Sequence, residues 1–276
     1  MTTDTAGSPP RLSWFMQGPP EQVRLSTGWP AFPIRDWALS GATGAGVRVC
    51  VVDSGVEAGH ELVGPLSGAY SVEPGPSGSS RVVADDRGDT SGHGTACASV
   101  IRQFAPQCEL TSVRVLGGYS GSGDNLITAL RWVIDNDFDV VNLSLSTSKR
   151  HFGMALRELT DDAYFNRTLI VASAHNMKVE SFPWRFSSVI SVGSHAESDP
   201  WRYYYNPNPP VEFYAGGVNV PVAWKGGART LCSGNSFATP RIAGICALIR
   251  SEHPDLTPFQ VKTVLHLSAA NVREQT

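Results

Sequence analysis

The run from Gly46 to Asp53 (Gly-Val-Arg-Val-Cys-Val-Val-Asp) is dense in β-branched side chains, with Gly44 near its start and Ser54-Gly55 just after it. A short, nearly unbroken apolar run between turn residues predicts a buried strand that ends in a turn. Similar runs predict strands at 110–116, 138–145, 169–174 and 189–192. Helix-like stretches fall between them, near 125–135 and between 153 and 165. Another helix is predicted from Ser236 to about Glu252, with Ile242, Ile245, Ala247 and Leu248 on its core face. Thr257-Pro258-Phe259-Gln260 carries the start signals of a last helix: a threonine cap, a proline in the first position and a glutamine that closes a capping box. Strands alternating with helices predict an α/β fold whose mainly parallel central sheet is covered by helices on both faces. Residues 1–20 are polar and rich in proline and glycine and are expected to form a flexible tail, with 21–276 as one domain. The stretches from Pro74 to Ser80 and from Gly117 to Gly123 read as surface loops.

Composition narrows the field. With 276 residues, of which 41% are hydrophobic, the chain can bury the core of one large domain. A formal net charge of -3 and a pI near 6.2 give no electrostatic reason to expect a nucleic-acid partner. No apolar stretch approaches the roughly 18 residues of a membrane span, and no secretory signal is visible at the N-terminus, so a cytoplasmic location is expected. The five cysteines (Cys50, Cys97, Cys108, Cys232 and Cys246) are odd in number and scattered without a CxxC pair. They are therefore expected as reduced thiols rather than a zinc site, and neither metal nor cofactor is expected.

Three separated segments change the picture. Val51-Val52-Asp53-Ser54-Gly55, Gly92-His93-Gly94-Thr95 and Ser233-Gly234-Asn235-Ser236-Phe237-Ala238-Thr239-Pro240 supply a carboxylate, an imidazole and a hydroxyl. A serine hydroxyl is a poor nucleophile until a neutral imidazole takes its proton, and that imidazole needs a carboxylate to hold its tautomer. Asp53 closes a predicted strand, at the carboxyl end where open α/β sheets carry functional residues. His93 opens the small-residue stretch from Gly94 to Ile101, and the glycines on both sides let another backbone approach the ring. Ser236 begins a predicted helix, where the field favours developing negative charge. Taken singly, each has a plainer reading: a turn aspartate, a structural histidine, a serine cap.

On these motifs the chain resembles the subtilisin-like serine peptidases, the subtilases, from about Trp37 to Ala270. The resemblance implies a subtilisin-like fold, with Asp53 as the orienting acid, His93 as the general base and Ser236 as the nucleophile. It also matches Leu169-Ile170-Val171-Ala172-Ser173-Ala174-His175-Asn176 to the strand that ends in an oxyanion-hole asparagine, which implies that role for Asn176. By the same resemblance Gly121, Ser122, Gly123, Asp124, Ser144, Leu145 and Ser146 are expected to bind an extended peptide or protein substrate. Cys97, four residues after His93, is expected beneath the imidazole as a small buried hydrophobe.

The chain also departs from the family. Only Met1 to Val52 precede Asp53, so either folding needs no pro-segment or one lies outside this chain. The stop at Thr276 reads as a domain cut from a longer protein. The segment leading from the His93 helix to Ala105-Pro106 lacks the longer loop with which many members wrap calcium, so calcium dependence is expected to be weak. Asp85, Asp86 and Asp89 read first as solvated carboxylates. With Asp124 they form the alternative of an acidic rim that favours Lys or Arg two or four residues before the cut. Ser144-Leu145-Ser146-Thr147 stands where the family often has Ser-Leu-Gly-Gly, which points to a selective, precursor-processing endopeptidase. A catalytically silent peptide-binding scaffold of the same fold is the rival reading.

Overall fold

The computed structural model describes residues 34–75, 79–118 and 120–272. The expected tail at 1–20, and the middle of the loop from Pro74 to Ser80, lie outside the described residues. In chain order the strands are β1 Arg48–Asp53, β2 Gly68–Pro74, β3 Ser80–Ala84, β4 Glu109–Arg114, β5 Leu116–Gly117, β6 Ser120–Gly121, β7 Val140–Leu143, β8 Leu169–Ser173, β9 Ile190–His195, β10 Tyr203–Tyr205, β11 Phe213–Gly216, β12 Val220–Trp224 and β13 Ala228–Cys232. The helices are α1 Ile34–Leu39, α2 His93–Phe104, α3 Gly123–Asp135, α4 Gly153–Phe165, α5 Asn235–Glu252 and α6 Pro258–Leu267.

Among the described residues one large sheet runs in the order β10-β11-β9-β8-β7-β1-β4-β2-β3. Its interior pairs are parallel, and only the outermost pairs, β10 with β11 and β2 with β3, are antiparallel. The apolar runs follow from this placement. Successive side chains on a strand point to opposite faces, and both faces of this sheet are covered. In β1, Val49 and Val51 join the core beneath α1, α2, α5 and α6, while Cys50 and Val52 join the one beneath α3 and α4. In β8, Leu169 and Val171 divide from Ile170 and Ala172 in the same way.

α5 differs from expectation. It is not an amphipathic surface helix, because every residue from Phe237 to Arg250 is buried. It lies between the sheet and α2, and a helix apolar on all sides belongs inside. The last helix starts as its sequence predicts: the Thr257 hydroxyl accepts from the Gln260 N–H at 3.3 Å, and the Thr257 N–H donates to Gln260 Oε1 at 2.8 Å. The sequence reading missed β2, β3 and the strands from β10 to β13. Among the described residues no helix is long and apolar enough to cross a membrane.

Candidate active site

β1 sits between β4 and β7; the chain leaves β1 toward β2 and leaves β4 toward β7, so the two connections run to opposite sides of the sheet. Such a switch point opens a crevice at the carboxyl ends of the strands. Asp53, the last residue of β1, is fully buried there. Its Oδ1 accepts from the Ser54 N–H at 2.7 Å, and its two oxygens lie 2.8 and 3.0 Å from Nδ1 of His93. That contact keeps the proton of the neutral ring on Nδ1 and leaves Nε2 free to accept.

His93 opens α2, and the glycines beside it do different work. A Cβ on Gly94 would fall 2.0 Å from the Gly55 carbonyl oxygen, so the first turn of α2 can press on the exit of β1 only without a side chain there. Gly92 has φ +96 and faces the ring of Trp224, a side chain rather than the backbone expected from sequence. Burial works against the protonated imidazole. The charge of Asp53, its hydrogen bond and the more distant charge of Asp89 outweigh that, and His93 is held above its ordinary value.

Asp89 is the functional residue that the sequence reading misplaced. It accepts from the N–H groups of Ser91, Gly92 and Thr95 and from the hydroxyls of Ser54 and Thr95, at 2.6–2.9 Å. It thus caps α2 from four residues ahead of His93 and ties that helix start to the exit of β1. The spacing Asp89-x-x-x-His93, with Thr95 beyond, is the local signal that was available. Asp85 corrects the same expectation: its side chain is 4% exposed and binds Arg114 at 2.7 Å and Arg87 at 3.0 Å. Burial would raise its carboxyl, but the two arginines hold it below its usual value. Asp86 alone of the three is exposed, so these carboxylates form no acidic rim.

Ser236 lies in the first turn of α5. Pro240, four residues on, has no N–H to give the Ser236 carbonyl, so that oxygen needs other donors. The Ser144 hydroxyl supplies one at 2.9 Å and the Cys97 thiol another at 3.6 Å. Burial pushes the Cys97 thiol well up, with the Asp53 charge adding to it. Ligand atoms of Asp53, His93 and Cys97 fall within 4.8 Å of one another, but a metal would need the thiolate and the Nδ1 that Asp53 already holds. The Ser236 hydroxyl itself donates to the Ser144 carbonyl at 3.2 Å rather than to His93.

His93, Asn176 and Ser236 line one cavity of about 430 Å³. Gly121, Ser122, Gly123, Ser144, Leu145 and Ser146 line it too, whereas Asp124 does not. Asp124 instead stands at the start of α3, where its N–H donates to the capping Ser122 hydroxyl at 3.1 Å. The Oδ1 of Asn176 accepts from the Asn235 N–H at 3.0 Å, which leaves Nδ2 as its donor. Asn235 was also missed: its own side chain donates to the Ala174 carbonyl and accepts from Ser194, at 3.0 and 2.8 Å, pinning the start of α5 to the ends of β8 and β9.

A buried carboxylate on an imidazole, with a helix-start serine and an amide donor on the same cavity, defines the serine-hydrolase class of site. The chain belongs to the Subtilase family, whose model matches residues 44–276, and with it to the subtilisin-like serine endopeptidases. It is 30% identical over 249 residues to Subtilisin DY of Bacillus licheniformis, covering 84% of this chain and 86% of that protein. Subtilisin E of Bacillus subtilis (strain 168) is 31% identical over 246 residues, 83% of this chain, and the match spans 62% of that longer protein. Among solved structures, a cold adapted subtilisin-like serine proteinase superposes with a TM-score of 0.67 at 28% identity, covering 85% of this chain and 88% of the other.

Proposed function

We propose that the protein cleaves peptide bonds through an acyl-enzyme on Ser236. A rotation of its side chain turns Oγ from the Ser144 carbonyl toward Nε2 of His93. Oγ attacks the scissile carbonyl carbon as His93 takes the hydroxyl proton, and Asp53 stabilises the imidazolium that forms. The oxyanion receives hydrogen bonds from Asn176 Nδ2 and from the Ser236 N–H, one of the first-turn amides that have no acceptor within the helix. His93 then returns its proton to the leaving amine, and water releases the acyl group by the reverse sequence. The exposed Ser120–Gly121 strand and the residues after it offer backbone for pairing with an extended substrate. The single observation that carries the reading is the Asp53–His93 contact facing a cavity that Ser236 and Asn176 share.

A selective role in processing an intracellular precursor, rather than general turnover, is supported by the polar lining of that cavity, where Ser146 and Thr147 stand beside Ser144. The five free thiols, four of them buried, favour a reducing compartment. Incubation with a diverse peptide library, read by mass spectrometry, tests the reading. Specific internal cuts by the wild type and none by Ser236→Ala are expected; a folded wild type that cuts nothing points to the silent scaffold.

A further inference from the structure

The cavity beside Ser236 has an uneven charge. Among its described lining residues none is a carboxylate, and one is a lysine, Lys149. Lys149 lies two residues beyond Thr147, which exchanges both backbone hydrogen bonds with Phe182 at 2.9 Å. Thr147 also receives the Lys149 N–H on its hydroxyl at 3.3 Å, so the backbone that carries the lysine is anchored. Continuing that antiparallel register would set Glu180 opposite Lys149. Glu180 is already occupied, by Arg150 at 2.5 Å and Arg185 at 3.1 Å. Among the described residues the Lys149 ammonium has neither a carboxylate nor a hydrogen-bond acceptor as partner.

Its neighbours on the cavity add donors. Nδ1 of His175 accepts from the Met177 N–H at 3.0 Å, so the neutral ring carries its proton on Nε2. The Asn176 carbonyl is used by Asn235, which leaves its NH₂ as donor. The position along a substrate follows from the walls. One wall, Ser144 to Thr147, begins at the carbonyl that touches Ser236 Oγ, and the other, Ser173 to Asn176, ends at the amide donor. A side chain that enters between them belongs to the residue whose carbonyl Ser236 attacks.

We propose that this pocket selects an acidic side chain, glutamate above all, immediately before the scissile bond, with Lys149 as the cation that recognises it. The proposal rests on the reading of Ser236 as the nucleophile. An ammonium on a flexible four-carbon stem is a point charge that reaches a carboxylate without demanding a fixed approach. The longer stem of glutamate meets it more readily than that of aspartate. Lys149 is exposed, so water screens the contact, and the preference over the neutral isostere is about 2- to 5-fold.

The test uses internally quenched peptides that differ only in having Glu, Gln or Lys before the cut, with the cut position verified by mass spectrometry. Active-site titration with a fluorophosphonate normalises wild type, Lys149→Ala and Lys149→Glu, and the Glu/Gln ratio of kcat/KM within each protein is the readout. The ratio is expected at about 2 to 5 in wild type, to fall as salt rises, to approach 1 in Lys149→Ala and to drop below 1 in Lys149→Glu. A wild type that titrates and cuts but does not favour Glu over Gln overturns the proposal. So does one that favours Lys, or a Glu preference that survives in Lys149→Ala. Absence of both titration and cleavage overturns instead the reading of Ser236 on which the proposal stands.

Discussion

The two halves of the cleft are built differently. On the acid and imidazole side, Asp53 is fully buried, Asp89 gathers five hydrogen bonds, and the glycine at 94 allows backbone to meet backbone. On the substrate side, Ser120, Gly121, Ser122 and Lys149 are exposed, and the Ser236 hydroxyl rests on a carbonyl away from its base. The first half holds a proton-transfer pair whose geometry tolerates little error. The second must admit a peptide backbone, and in the proposed reading it discriminates by shape and charge. The proposed chemistry rests on the rigid, tightly bonded half and the proposed selectivity on the open one.

Changes to the rigid half should therefore cost the most. Asp53→Asn keeps the shape but removes the charge that holds the Nδ1 tautomer. The expected loss is about 10⁴-fold in kcat, measured on any library peptide that the wild type cuts. The same substitution removes the main influence raising the His93 pKa, so the acid limb of the residual activity should move to lower pH. A limb that stays in place would separate Asp53 from the base. Asn176→Ala, at the seam between the halves, removes one donor to the oxyanion. A fall of about 10²–10³ in kcat with KM little changed is expected from steady-state kinetics. A rise in KM alone would make Asn176 a ground-state contact. Smaller still is the effect of Lys149, felt only as a ratio between substrates.

Much of the rigid half was legible in the sequence because its signals are local. An apolar run ends at Asp53, glycines bracket His93, and Ser236 stands at a helix start four residues before a proline. The buried parallel strands were legible for the same reason, since a strand covered on both faces needs an unbroken apolar run. The edges were not. β2 and β3 pair with mixed polar and apolar side chains, and Glu73 and Asp85 share two arginines, Arg87 just beyond the hairpin and Arg114 from β4. The hairpin of β12 and β13 turns at Gly226-Gly227, a signal present in the sequence and passed over. Asp89 looked like one of three solvated acids until the fold brought Ser54 and the start of α2 around it. The charge of the pocket was misjudged for a related cause. Which carboxylate remains free depends on where the fold brings arginines: Arg114 reaches Asp85 from 29 residues away and Arg150 reaches Glu180 from 30.

The central claim is that His93, raised by Asp53, activates Ser236. It is tested most directly by the pH dependence of covalent labelling with a fluorophosphonate, which needs no knowledge of the substrate. The imidazole acts as a base only when neutral, and a raised pKa keeps it protonated to higher pH. The labelling rate should therefore rise with pH through an apparent pKa above the ordinary histidine value of about 6.5, with the adduct on Ser236. A folded protein that takes no label, an adduct on another residue, or a rate that titrates below that value would contradict it.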